Sequence, residues 1–178
     1  MKLSLKKILV LAGALLGVVA FFMMFVDAIK VSVTTVVIGN SSTDVSYYSG
    51  LESLFGVKNN SGDIVVKGAG GAFVGYLLAL LGGAAAVVSA LVIKDKKMAM
   101  YIVIGAAALM VVGAVLMFCE KAMFLGVNEI DSASGAAGLG SILGASYEYG
   151  LGAGPIVGGI LAILGAGCAG ASIVVKEK

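Results

Sequence analysis

Residues Ile8 to Val26 read ILVLAGALLGVVAFFMMFV, nineteen residues without a charge. At a rise of about 1.5 Å per residue, such a run makes a helix close to the ~30 Å thickness of a bilayer's hydrocarbon core. Three more uncharged runs reach that length: Gly68 to Ile93, Met98 to Cys119 and Tyr149 to Val175. The rest of the chain agrees. Of its 178 residues 60% are hydrophobic and 12% charged, with a mean hydropathy of +1.10; a soluble domain runs at about 45–50% apolar and about 25% charged. This composition cannot supply a water-facing surface, so the sequence predicts an all-α integral membrane fold, a four-helix transmembrane bundle with spans at about 8–26, 71–93, 98–119 and 153–175. The glycine-rich starts Gly68-Ala69-Gly70-Gly71 and Gly150-Leu151-Gly152 are expected to lie outside the helices.

The first run follows Lys2, Lys6 and Lys7 and ends near Ala28, which also suits a secretory signal. Its apolar stretch is longer than a signal core of about 7–15 residues, so an uncleaved helix is expected. Lysine placement sets the direction. The amino terminus, the Lys94-Asp95-Lys96-Lys97 turn and the Lys176-Glu177-Lys178 end hold eight lysines and two acids, a net of +6. The two longer loops hold four lysines and eight acids, a net of −4. Lysine excess marks the cytoplasmic side. The expectation is a multi-pass plasma-membrane protein with both termini in the cytoplasm and both long loops outside.

The chain also matches itself. At a shift of 93, Leu11 to Phe25 overlies Ile104 to Phe118 without a gap, pairing Val18-Val19 with Val111-Val112 and Met24-Phe25 with Met117-Phe118. Asp27 then falls on Glu120. At 88, Gly50-Leu51-Glu52-Ser53-Leu54-Phe55-Gly56 overlies Gly138-Leu139-Gly140-Ser141-Ile142-Leu143-Gly144, and at 83, Val74-Gly75 and Leu78-Ala79 match Val157-Gly158 and Leu161-Ala162. This order predicts two duplicated hairpins, residues 1–97 with the larger outer loop and 98–178 with the smaller, related by a pseudo-two-fold axis along the membrane normal. Small residues four apart, Gly13 and Gly17, Gly71 and Gly75, Gly154 and Gly158, share helix faces and are candidates for close helix packing.

The first loop is rich in β-branched residues. Ile29 to Ile38, with Val31, Val33 and Val36, reads as a strand, and Ile64-Val65-Val66, after the Asn59-Asn60-Ser61-Gly62 turn signal, as its candidate partner. Ser49 and Glu52 have capping-box spacing, and Leu51, Leu54 and Phe55 follow at helical spacing. Leu139, Ile142 and Leu143 repeat that spacing in the second loop. Asn40-Ser41-Ser42 and Asn59-Asn60-Ser61 fit the glycan acceptor pattern and are read as plain surface. The outer acids lack the spacing of a calcium loop and read as a solvated acidic face.

Much chemistry is excluded by composition. The chain has no histidine, tryptophan or arginine, which removes histidine catalysis, histidine metal sites and arginine clamps. No span carries an ionisable carboxylate or amine, the usual mark of a proton relay or coupled transporter. Tyr76, Ser89, Tyr101, Cys168, Ser172 and the outer Tyr149 are expected to pack in the core. A duplicated glycine-rich hairpin resembles rotary-ATPase proteolipids, but the mid-membrane carboxylate is missing. No catalytic residues, metal ligands or cofactor are expected, and neither is a nucleic-acid partner.

The four spans, inward termini and larger first loop resemble claudin-like and other tetraspan membrane proteins, and the small four-span proteins of low-GC bacteria. Gly50-Leu51 resembles the Gly-Leu-Trp stretch of the claudin first loop, with Glu52 in the tryptophan position and no cysteine pair in the loop. The resemblance implies topology alone, and the junctional role does not carry over. The expected function is non-catalytic: a scaffold, accessory or self-assembling subunit whose partners are the bilayer and itself or another membrane protein, contacted through Val31, Val33, Val36, Leu51, Leu54, Phe55, Leu139, Ile142 and Leu143. The alternative is an oligomeric pore or transporter component.

Overall fold

A computed structural model describes residues 4–37, 40–58, 60–62, 64–128 and 145–175. The first run forms α1 (Leu5–Phe22), which starts where the Ser4 side chain accepts the Lys7 backbone N–H and ends in a 3-10 turn over Met23–Phe25. The other runs form α3 (Gly70–Leu91), α4 (Lys96–Phe118) and α6 (Ala153–Val174). Both glycine-rich starts lie largely outside the helices, which begin at Gly70 and Ala153. All four are long and apolar enough to cross a membrane, the makeup of a multi-pass membrane protein.

The bundle is built inside out relative to a soluble one. Leu15, Leu81, Val111, Val112, Ile163 and Leu164 are exposed, while Ala14, Ala20, Ala79, Ala86, Ala114, Ala162 and Ala169 are buried. A continuous apolar surface of this size belongs in lipid rather than water. Lipid tails are as apolar as leucine, so helices associate through close packing of small residues. Here α1 packs on α3 and α6, and α4 packs on the same two.

The contacts repeat. A Cβ built on Gly75 would lie 2.9 Å from the Gly113 carbonyl oxygen, and one on Gly158, 83 residues on, 3.3 Å from that of Ala20, 93 residues before Gly113. A Cβ on Gly82 would lie 2.7 Å from the Ala106 oxygen, and one on Gly165, 2.8 Å from the Gly13 oxygen, again at shifts of 83 and 93. The α3–α4 and α6–α1 interfaces thus use corresponding positions. Met110 breaks the correspondence: it stands where the other half has Gly17, and its methyl reaches within 3.2 Å of a Cβ built there.

At one end of the bundle, the cap end, lie β1 (Asp27–Val37), β2 (Asn40–Ser49), α2 (Gly50–Phe55), β3 (Val57–Lys58), β4 (Ile64–Val66), α5 (Glu120–Val127) and β5 (Ala145–Leu151). Lys6, Lys7, Lys94 and Lys96 gather at the other, the lysine end. The expected strand over Ile29 to Ile38 is present as β1, but its neighbours differ from expectation. Ile64–Val66 pairs with Val57–Lys58 in a separate two-stranded ladder, and β1 is the centre of an antiparallel sheet ordered β2-β1-β5. The reason is helix adjacency. Because α1 and α6 pack together, the segment leaving α1 and the segment entering α6 run side by side in opposite directions, and the Gly152 N–H donates to the Ala28 carbonyl at their base.

These contacts generate a stability test. Gly113→Val places a branched side chain against the Gly75 carbonyl and should lower stability by about 1–3 kcal/mol, the usual cost of overpacking. Gly105→Ala, where nothing lies within 4 Å, should leave it level or raise it through helix propensity. Thermal unfolding followed by circular dichroism in detergent compares the two.

Candidate functional site at the cap end

The sheet divides its side chains by alternation. Ile29 and Val31 are buried and Val33 half-buried, packed with Ala28, Ala69, Phe124 and Leu125 and with Tyr48, Tyr149 and Leu151 from the flanking strands. The Tyr48 and Phe124 rings lie 5.7 Å apart. The opposite face carries Lys30, Ser32 and Thr34, with Val45 and Tyr47 of β2 beside them and Glu148 of β5 opposite Ser32. Val45 and Tyr47 are exposed, and the Thr34 and Thr43 hydroxyls meet at 3.0 Å. With β1 in the middle, the edges among the described residues belong to β2 and β5. β1, the strand that carries the expected contact residues Val31 and Val33, is thus paired on both sides.

Below the sheet, α2 has the capping box anticipated from Ser49 and Glu52. The Ser49 N–H donates to Glu52 Oε2 at 2.9 Å, and the Glu52 N–H donates to Ser49 Oγ at 3.3 Å. Leu54 is buried in the bundle core, whereas Leu51 and Phe55 are exposed, with the Phe55 ring 5.2 Å from that of Phe73. Leu139, Ile142 and Leu143 lie outside the described residues, as does the side chain of Val36. Of the packing glycines, Gly13, Gly17, Gly75, Gly154 and Gly158 are buried at helix contacts. Gly71 is exposed, and a Cβ there would touch only the Met123 sulfur, at 3.4 Å.

The residue that sequence reasoning misplaced is Glu120. Counted above with the solvated acids, it is fully buried at the start of α5. The Ser53 hydroxyl of α2 hydrogen-bonds Oε1, and the Tyr76 hydroxyl of α3 donates to Oε2 at 2.9 Å. Asp27, its counterpart at a shift of 93, is exposed, and the counterpart of Tyr76 is Gly159. The Tyr76–Glu120 contact, which joins the two halves, is therefore not repeated at the corresponding positions. Burial pushes the Glu120 carboxyl above the usual carboxylate range, with the Ser53 and Tyr76 hydrogen bonds acting in the other direction.

The hydrogen count points the same way. Ser53 Oγ lies 2.9 Å from the Gly50 carbonyl as well as beside Glu120 Oε1, and a hydroxyl has only one proton. All three contacts are satisfied when Glu120 is protonated: its O–H donates to Ser53 Oγ, Ser53 donates to Gly50, and Tyr76 donates to Oε2. In that form the acid ties α2, α3 and α5 together. Asn128 adds a second tie, accepting the Lys67 N–H at 2.9 Å and donating to the Lys67 carbonyl at 3.0 Å and the Phe124 carbonyl at 2.9 Å.

Among the described residues no group of three or more histidine, cysteine or acidic side chains is placed to hold a metal ion. No protein-family model matches the chain, and no curated protein matches it in sequence. The tetraspan resemblance thus stands as four spans, without support for the claudin class.

A group whose pKa is raised on folding stabilises most fully below its unfolded value, near 4.5 here, and that contribution is lost as pH rises through the folded value. Glu120→Gln keeps the shape and stays neutral. It should flatten the decline in thermal midpoint between acid and neutral pH, whereas Glu120→Ala should cost about 2–4 kcal/mol through a cavity and the orphaned Tyr76 hydroxyl. Calorimetry across pH in detergent separates these outcomes.

Proposed function

We propose that this chain is a non-catalytic, multi-pass protein of the plasma membrane that assembles with itself, or with another membrane protein, through the sheet at its cap end. The observation that carries this reading is β2. It is an edge strand among the described residues, residues 41–47 are all exposed, and Val45 and Tyr47 stand together on one face. An open edge offers unpaired backbone groups to an added strand, and the alternating side chains beside it supply selectivity. A second copy meeting β2 to β2 would form a closed, two-fold contact.

Two finer readings accompany it. The corresponding glycine contacts at shifts of 83 and 93 support an origin by duplication of one helical hairpin. The gathering of lysines at the end opposite the sheet supports an orientation with both termini in the cytoplasm and the sheet outside. The bundle interior is occupied by Met110 and Met117, both buried, which favours a non-conducting protein over the pore alternative.

Val45→Lys with Tyr47→Lys tests the assembly. Both side chains are exposed and outside the spans, so the bundle should fold, and native mass measurement in mild detergent should show the assembly reduced to single chains. Assembly that survives this change but is lost on Gly167→Leu, a lipid-facing position with nothing within 4 Å, would place the contact inside the membrane. Ion passage by the reconstituted protein in a vesicle flux assay would put the pore reading in its place.

Orientation is read separately, with cysteines introduced at Ser61 and Lys96 in a chain lacking Cys119 and Cys168. Ser61→Cys should react with an impermeant thiol reagent applied to intact cells, and Lys96→Cys should not. The reverse pattern inverts the topology.

A further inference from the structure

At the lysine end the four helices enclose a crevice of about 470 Å³, within the size range of small-molecule sites. Its walls come from every helix. Lys6, Lys7 and Val10 belong to α1, Ser89 to α3, Ala99, Met100 and Val103 to α4, and Ser172 and Ile173 to α6, with Lys94 at the α3–α4 turn and Lys96 at the rim. No aspartate or glutamate lines it among the described residues.

The shifts of 93 and 83 resolve these residues into pairs. Val10 corresponds to Val103 and Ser89 to Ser172; all four are buried and form the floor. Lys6 corresponds to Ala99 and Lys7 to Met100, so the two side walls, alike in backbone, differ in chemistry: one is cationic and the other apolar. Lys94 adds a third cation from the turn. The two floor hydroxyls already donate, Ser89 to the Ala99 carbonyl at 2.9 Å and Ser172 to the Ala169 carbonyl at 2.6 Å. Each oxygen retains lone pairs that can accept from a hydroxylated group.

A ligand for this crevice has an anionic head for Lys6, Lys7 and Lys94, hydroxyls for Ser89 and Ser172, and an apolar portion for Val10, Met100, Val103 and Ile173. The crevice stands at the ends of the four helices long enough to span a bilayer, and the ends of such spans meet the region between headgroups and acyl chains. Basic pockets between helices at that depth suit phospholipid headgroups. We propose that the crevice binds one anionic phospholipid with a hydroxylated headgroup, its phosphate on the lysine wall and the start of an acyl chain on the apolar wall. The site is separate from the cap-end sheet, so its fate does not follow that of the assembly reading.

Native mass spectrometry of the full chain in mild detergent, titrated with phosphatidylglycerol or phosphatidylcholine, tests the site. The wild type should retain phosphatidylglycerol about tenfold more strongly, as expected for a few lysines acting at a membrane surface. The triple change Lys6→Gln, Lys7→Gln and Lys94→Gln should abolish the preference. The matching change at the cap end, Lys30→Gln, Lys58→Gln and Lys121→Gln, should leave it intact. Ala99→Phe, which fills the apolar wall without altering charge, should weaken retention of phosphatidylglycerol. Equal retention of the two lipids, a preference that survives the first triple change, or its loss in the cap-end variant overturns the proposal. So does a thermal midpoint raised as much by glycerol 3-phosphate as by phosphatidylglycerol, which would identify a soluble phosphate as the ligand.

Discussion

Inside a bilayer a leucine gains nothing by turning from lipid to a neighbouring helix, and this constraint governs the whole molecule. Cohesion comes from backbones that approach until a single methyl would collide, as at Gly75 against Gly113 and Gly165 against Gly13. Large side chains are displaced to the lipid face and small ones line the seams. The ring of helices follows, and with it the neighbours available to each loop. Packing α1 on α6 sets β1 beside β5.

The cap end obeys the opposite rule. There the chain uses hydrogen bonds and one buried acid, because irregular backbone beside a membrane must satisfy its polar groups within the protein. Glu120, Ser53 and Tyr76 join three helices in this way, and Asn128 holds the end of α5 to the segment before α3. Removing the proton from Glu120 would leave a charge in a buried site with only two hydroxyls to stabilise it, so this joint is strongest while uncharged.

The spans, the strand at β1 and the capping box of α2 were legible because each is written in a local pattern: a hydropathy run, a β-branched run, a serine and a glutamate three apart. β2 was not, since Asn-Ser-Ser-Thr-Asp has the composition of a loop. Its clues were the turn formers Gly39 and Asn40 and the alternation of Thr43, Val45 and Tyr47. β5 was hidden for another reason: Tyr149 to Leu151 read as the start of an apolar run. Glu120 was illegible in principle, because its partners lie 67 and 44 residues away in sequence. Asp27, at the equivalent place in the other half, is exposed, so sequence correspondence placed the carboxylate without revealing its surroundings.

The central position of β1 also orders events during synthesis. Lys30 pairs with Tyr47 soon after it is made, but its partner on the other side is Gly150, 120 residues later. Until that segment is synthesised, one side of β1 and the seam of α1 that receives Gly165 both lack their partners. The nascent protein therefore carries β1 half-paired while the last two spans are being inserted. Closing the sheet and seating α6 become one late event, and a chain halted before residue 145 would keep an apolar strand edge open to its neighbours.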